Sequence, residues 1–220
     1  MSNIAVLASG TGSNFQALLD ADLSPSKIVV LIANNPKAPV MERARRAGIP
    51  AVLIDHRAHK TRTEFEDALI AELSVHSVDW VVLAGFMRIL TPHFVHAFAD
   101  RIVNIHPALC PAFPGVDAQR QALEAGVKIT GCTVHLVDTG VDTGPILAQV
   151  AVPILEKDDE ATLKARILAQ EHALLPAVVR ALGRGLLRTD ERGHCWFAPA
   201  SPAETSDPGA DPVLRSPTTL

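Results

Sequence analysis

"NIAVLASGTGSNFQALLDA", residues 3–21, changes its period in the middle. Its first seven residues are almost wholly apolar without polar alternation, which suits a strand covered on both faces. Gly10 and Gly12 then let the backbone turn sharply. From Ser13 to Ala21 the apolar residues recur at helical spacing. A strand, a tight loop and a helix in that order open a parallel α/β sheet.

The same unit recurs along the chain. Residues 27–34, 50–55, 78–85 and 101–106 are short runs, mostly rich in Val and Ile, and read as buried parallel strands. Helices are expected at 38–48 and 61–74. In the second, Phe65, Leu69, Ile70 and Leu73 share one face with Glu64, Asp67 and Glu72 around it. The alternation implies right-handed crossovers and a doubly wound, mostly parallel sheet. Ligands of such sheets sit beyond the carboxyl ends of the strands.

After residue 117 the pattern changes. Residues 117–126 read as a helix closed by Gly126, and 128–137 and 144–154 as two strands. These strands should pair antiparallel around the Asp- and Gly-rich loop 138–144. A long helix is expected from Asp159 to Leu182, broken or bent near Pro176. From Pro199 the chain is rich in Pro, Ser and Asp and is expected to form a disordered tail. One α/β domain over 1–198 and a tail over 199–220 follow.

Bulk properties exclude several classes. With 220 residues and 48% hydrophobic content the chain can build one good core. A net charge of −4 and a pI near 6.1 leave no electrostatic footprint for nucleic acid or an anionic membrane. Cys110, Cys132 and Cys195 show no CxxC spacing, as in a reduced, cytoplasmic protein. The amino terminus lacks a secretory pattern, and the richest apolar run, 78–86, is too short to span a bilayer.

Three groups of residues could carry chemistry. In "ASGTGSNF", 8–15, Ser13 and Asn14 could cap the first helix and leave free N–H groups for a phosphate. Gly12 would let the backbone approach that anion. The loop is neither a dinucleotide fingerprint nor a Walker A loop, and a plain strand–helix turn is the alternative to a phosphate site. "RIVNIHPALCPAFPGVD", 101–117, brings Asn104 and His106 to a strand end before a Pro-stiffened loop. An amide can donate to a developing oxyanion, and an imidazole beside a carboxylate can carry a proton. Asp142, flanked by glycines, is the available carboxylate, although no spacing places it beside His106. His135 could be a core residue or a neighbour of this set. His93 with His96, and His56 with His59, have i, i+3 spacing but lack a third ligand, so no metal site is expected. Cys110 has no helix N-terminus or basic partner and reads as inert.

Taken together, "SGTGSNFQAL", "VVLAGFMRIL", "NIHPALCPAFPG", "GCTVHLVDTGVDTGPIL" and "AQEHALLP" resemble the glycinamide ribonucleotide transformylases of the folate-dependent formyltransferase family. The resemblance runs from residue 1 to about 197 and implies a Rossmann-like formyltransferase fold. It implies formyl transfer from 10-formyltetrahydrofolate, a co-substrate, to the amine of 5-phosphoribosylglycinamide in de novo purine synthesis. No metal or tightly bound cofactor is implied, and the partners are small molecules; the chain would be a monomer or homodimer. On these residues the resemblance makes Asn104, His106 and Asp142 catalytic and gives the ribonucleotide phosphate to Gly12, Ser13 and Asn14. Leu168, Ala169, Gln170 and Glu171 would contact the ribonucleotide. Arg62, Met87, Arg88, Ile89 and Leu90 would bind folate, with Asn104 and the loop Asp138, Thr139, Gly140, Val141 and Asp142. The chain departs from the family pattern at Asp117 and Gln119, where imidazoles are common, at Cys110 and in the tail. Formyl transfer to methionyl-tRNA, deformylation by water and phosphate binding without catalysis are the rival readings. The first would want an extra C-terminal domain, the second an extra N-terminal one.

Overall fold

The computed structural model describes residues 1–199, so the expected tail lies, apart from Pro199, outside the described residues. The strands are β1 (Asn3–Ala8), β2 (Lys27–Ala33), β3 (Ala51–Leu53), β4 (Trp80–Leu83), β5 (Ile102–His106), β6 (Ile129–Leu136) and β7 (Ile146–Pro153). They form one seven-stranded sheet in the order β3-β2-β1-β4-β5-β6-β7. Pairings from β3 through β5 are parallel, whereas β5–β6 and β6–β7 are antiparallel. The mostly parallel, doubly wound sheet is as expected.

Each central strand is apolar throughout because both its faces are covered. In β1, Ile4, Val6 and Ala8 join one core cluster while Ala5 and Leu7 join the other. The first cluster packs under α1 (Ser13–Asp20), α2 (Val40–Arg46) and α6 (Glu160–Gly183) through Phe15, Leu18, Val40, Ile167 and Leu174. The second packs under α3 (Arg62–Val75) and α4 (Pro92–Ala97) through Phe65, Leu69, Leu73 and Phe94. Burying each of these large side chains stabilises the fold by roughly 1.5–3 kcal/mol. Helix α5 (Ala118–Glu124) precedes β6. The chain leaves β1 toward β2 and later returns to β4 on its other side. The loops after β1 and β4 therefore part at a topological switch point, where a crevice opens.

Three features differ from expectation. Helix α6 runs through Pro176, which is buried, without the break that was one of the two expectations there. The packing of that turn offsets the backbone hydrogen bond that proline removes. Its start is fixed by a capping box between Asp159 and Thr162. Helix α4 has six residues and β8 (Leu187–Thr189) and β9 (Cys195–Phe197) three each, too short for periodicity to reveal them. Ser13 and Asn14 do not cap α1. Its N-cap is Gly12, left-handed at φ 74°, with no side-chain cap.

Candidate active site

The crevice is a cleft of about 820 Å³ at the carboxyl ends of β1, β4 and β5. Asn104 and His106, two apart on β5, project to the same side of the strand. Antiparallel register sets Asn104 opposite His135 of β6. The turn between β6 and β7 then carries Asp142 back over both. Its Oδ2 lies 3.3 Å from His106 Nδ1 and accepts the Gly115 N–H at 2.8 Å. Its Oδ1 accepts from Asn104 Nδ2 at 3.2 Å and lies 3.4 Å from His135 Nε2. The pairing that no spacing could supply is thus made by sheet register and a returning loop. His135 is both a core residue and a member of the set.

Burial raises the Asp142 carboxyl, but the hydrogen bonds from His135 and Gly115 and the charges of His106 and His135 outweigh it. Its pKa is held below the ordinary carboxylate value. Asp142 has φ 55° and Phe113, which also holds the set, has φ 56°. Non-glycine residues in that region cost of order 1–3 kcal/mol each, so the surrounding contacts must impose them.

The N–H groups of the set find partners within the protein, the second Asn104 N–H only while His135 Nε2 carries no proton. His106 Nε2 donates to the Phe113 carbonyl at 2.8 Å while Nδ1 faces Asp142. Both ring nitrogens therefore face acceptor oxygens. His135 Nδ1 donates to the Leu136 carbonyl at 2.8 Å. The Asn104 amide nitrogen lies 3.2 Å from both Asp142 Oδ1 and His135 Nε2. With that arrangement neither Asn104 nor His106 has an N–H left over for an incoming oxygen. Buried donors find partners, so a carbonyl oxygen has to take one over. When His135 Nε2 is protonated it can donate to Asp142, which frees one Asn104 N–H for that purpose.

On one side of the sheet the cleft meets Gly12, Ser13 and Asn14, together with Leu168 and Glu171 of α6. The first N–H groups of α1 have no partner one turn back and suit an anion. A Cβ on Gly12 would meet Val40 Cγ2 at 2.3 Å, so the glycine serves the turn and its packing on α2 as well as access to the cleft. Asn14 donates to Glu171 Oε2 at 2.7 Å, and its own Oδ1, buried, has no hydrogen-bond partner among the described residues. Burial pushes the Glu171 carboxyl above its ordinary value, against the Asn14 hydrogen bond and the charge of Lys164. Ala169 and Gln170 do not line the cleft, because they turn away between Leu168 and Glu171 at helical spacing. Lys164 and Glu160, which do line it, were detectable only as earlier turns of the same face.

On the other side lie Arg62, at the start of α3, and Met87, Arg88, Ile89 and Leu90. Met87 and Ile89 are exposed although apolar, 68% and 61%, which fits a surface that receives a flat apolar ligand. Asp138, Gly140, Val141 and Asp142 complete this wall, whereas the exposed Thr139 lies off it. Asp117, paired with Arg120, and Gln119 also face the cleft. Cys110 is buried, its thiol pushed up by burial. Among the described residues no group of three or more His, Cys, Asp or Glu could hold a metal, and no helix is long and apolar enough to cross a membrane.

The family model for formyl transferases matches residues 2–179. Phosphoribosylglycinamide formyltransferase of Bacillus subtilis is 43% identical over 83% of this chain and 95% of its own length. That of Mycobacterium tuberculosis is 48% identical over 81% and 84%. The human trifunctional purine biosynthetic protein adenosine-3 is 45% identical over 88% of this chain, which spans only 20% of that protein. The crystal structure of glycinamide ribonucleotide transformylase 1 from Symbiobacterium toebii superposes with a TM-score of 0.87 at 46% identity, covering 90% of this chain and 95% of that one.

Proposed function

This chain belongs to the formyl transferase family, and we propose on that premise that it transfers the formyl group of 10-formyltetrahydrofolate to the primary amine of 5-phosphoribosylglycinamide, a step of de novo purine synthesis. One observation carries the reading. An Asn104–His106–Asp142 set, buried at His106 and half-buried at the other two, lies between a glycine loop suited to phosphate and an apolar loop suited to a pterin. The bacterial relatives, matched over most of their length, bear the name of that activity.

Gly12, Ser13 and Asn14 hold the ribonucleotide phosphate, and Leu168 and Glu171 approach its remaining part. Met87 to Leu90 and the 138–142 loop hold the folate, with Arg62 at the mouth for an anionic group. The amine nitrogen attacks the formyl carbon, and negative charge grows on the carbonyl oxygen. Asn104 and doubly protonated His106 turn an N–H to that oxygen, while Asp142 balances the imidazolium. The C–N10 bond then breaks, the amine loses one proton, and N10 gains one. The products are a formamide and tetrahydrofolate, so folate enters and leaves as a co-substrate. The three unpaired cysteines support a reducing compartment, the cytoplasm.

Turnover of 10-formyltetrahydrofolate, followed by folate absorbance with and without the ribonucleotide, tests this. Turnover should require the amine acceptor. Equal turnover with water alone would make the protein a deformylase, and turnover only with methionyl-tRNA would make it the tRNA enzyme.

A further inference from the structure

Glu66 is 1% exposed on α3, and among the described residues no Lys, Arg or His lies within ion-pair distance of it. Burying a carboxylate is costly unless its hydrogen bonds are well made. Both its oxygens go to one residue. Oε1 accepts the Thr91 N–H at 2.7 Å, and Oε2 accepts the Thr91 hydroxyl. Thr91 is the N-cap of α4, yet its side chain makes no cap hydrogen bond to its own helix. A purely local role would use that hydroxyl as a cap. Here it is turned across to α3 instead.

Thr91 directly follows Leu90, the last residue of the apolar loop on the cleft wall. The other end of that loop is also tied. Met87 N–H donates to Ser9 Oγ at 2.8 Å, and Ser9 Oγ donates to Asn34 at 2.7 Å. Arg88 and Ile89 thus lie between two ties, one of which runs to α3 one turn beyond Arg62.

We propose that Glu66 is a positioning residue for folate: by gripping Thr91 it sets the 87–90 loop against α3 at the width a pterin and its anionic tail require. This rests on the assignment of that loop to folate in the proposed function. Losing a hydrogen bond to a buried charged group should weaken folate binding by about tenfold or more. The test compares Glu66→Met, Thr91→Val and Thr91→Ser in the full chain, measuring KM for each substrate and Tm. Glu66→Met and Thr91→Val should each raise the 10-formyltetrahydrofolate KM about tenfold while the ribonucleotide KM stays within about twofold. Thr91→Ser, which keeps the hydroxyl, should restore wild-type values. The double variant should be little worse than Glu66→Met alone, because methionine can neither accept from Thr91 nor donate to it. Should Glu66→Met not fold, the Thr91 pair still decides. An unmoved folate KM in folded variants, equal rises in both KM values, or failure of serine to rescue would overturn the proposal. Absent turnover by the wild type with the ribonucleotide would instead sink the function itself.

Discussion

Asp142→Asn changes one charge at nearly constant volume. The carboxylate faces four nitrogens: Gly115 N and His106 Nδ1 on one oxygen, Asn104 Nδ2 and His135 Nε2 on the other. An amide offers one acceptor oxygen and one NH₂, so whichever way it turns, two of those nitrogens meet a donor. A charge-assisted hydrogen bond contributes about 1.5–3 kcal/mol, and His106 would also lose the carboxylate that faces its Nδ1. At about 1.36 kcal/mol per tenfold, a loss near 3 kcal/mol lowers kcat about 10²-fold. Saturating both substrates in a steady-state assay reads this directly. A folded Asp142→Asn enzyme within about threefold of wild type would refute the electrostatic role. Stability gives a second check. The Asp142 pKa is depressed in the fold, so its contribution is complete above the unfolded value, about 3.9, and is lost as pH falls through the folded value. The Tm gap between wild type and variant should be full at neutral pH and shrink below about pH 4.

Glu171 should show the opposite trend. Its pKa is raised by burial, so the wild type gains stability as pH falls through the folded value toward about 4.3. Glu171→Gln should therefore be the more stable protein at neutral pH, with the difference vanishing on acidification; a constant difference would mean that the carboxylate is not penalised. Gly12→Val should raise the ribonucleotide KM far more than the folate KM and lower Tm, because its side chain collides with Val40 and disfavours φ 74°. An unchanged ribonucleotide KM would remove the loop from the site. A folate analogue lacking the formyl group should protect amides of 87–90 and 138–142 from hydrogen exchange, and protection confined to 10–14 would reverse the two substrate sides.

The parallel half of the sheet was legible because buried strands announce themselves as short, uninterrupted apolar runs. Register and loop return were not. Asp142 is 36 residues beyond His106, as the numbering shows, and only the β5–β6 pairing and the following turn bring them together. His135 could not be separated from a core histidine until that pairing set it beside Asn104. Leu168 and Glu171 came from motif resemblance, and helix geometry then divided that segment into residues that face the cleft and residues that do not. Glu66 was invisible for a different reason. In sequence it is one acid among several on an amphipathic helix, and its distinction lies wholly in where Thr91 falls.

The most direct test of formyl transfer follows the carbon itself. The wild-type protein is mixed with 10-formyltetrahydrofolate carrying ¹³C in the formyl group, with equimolar 5-phosphoribosylglycinamide, and the product is read by NMR. The label should appear in a formamide on the ribonucleotide nitrogen, in step with release of tetrahydrofolate. Label found in free formate, or left on the folate, would contradict the proposed reaction.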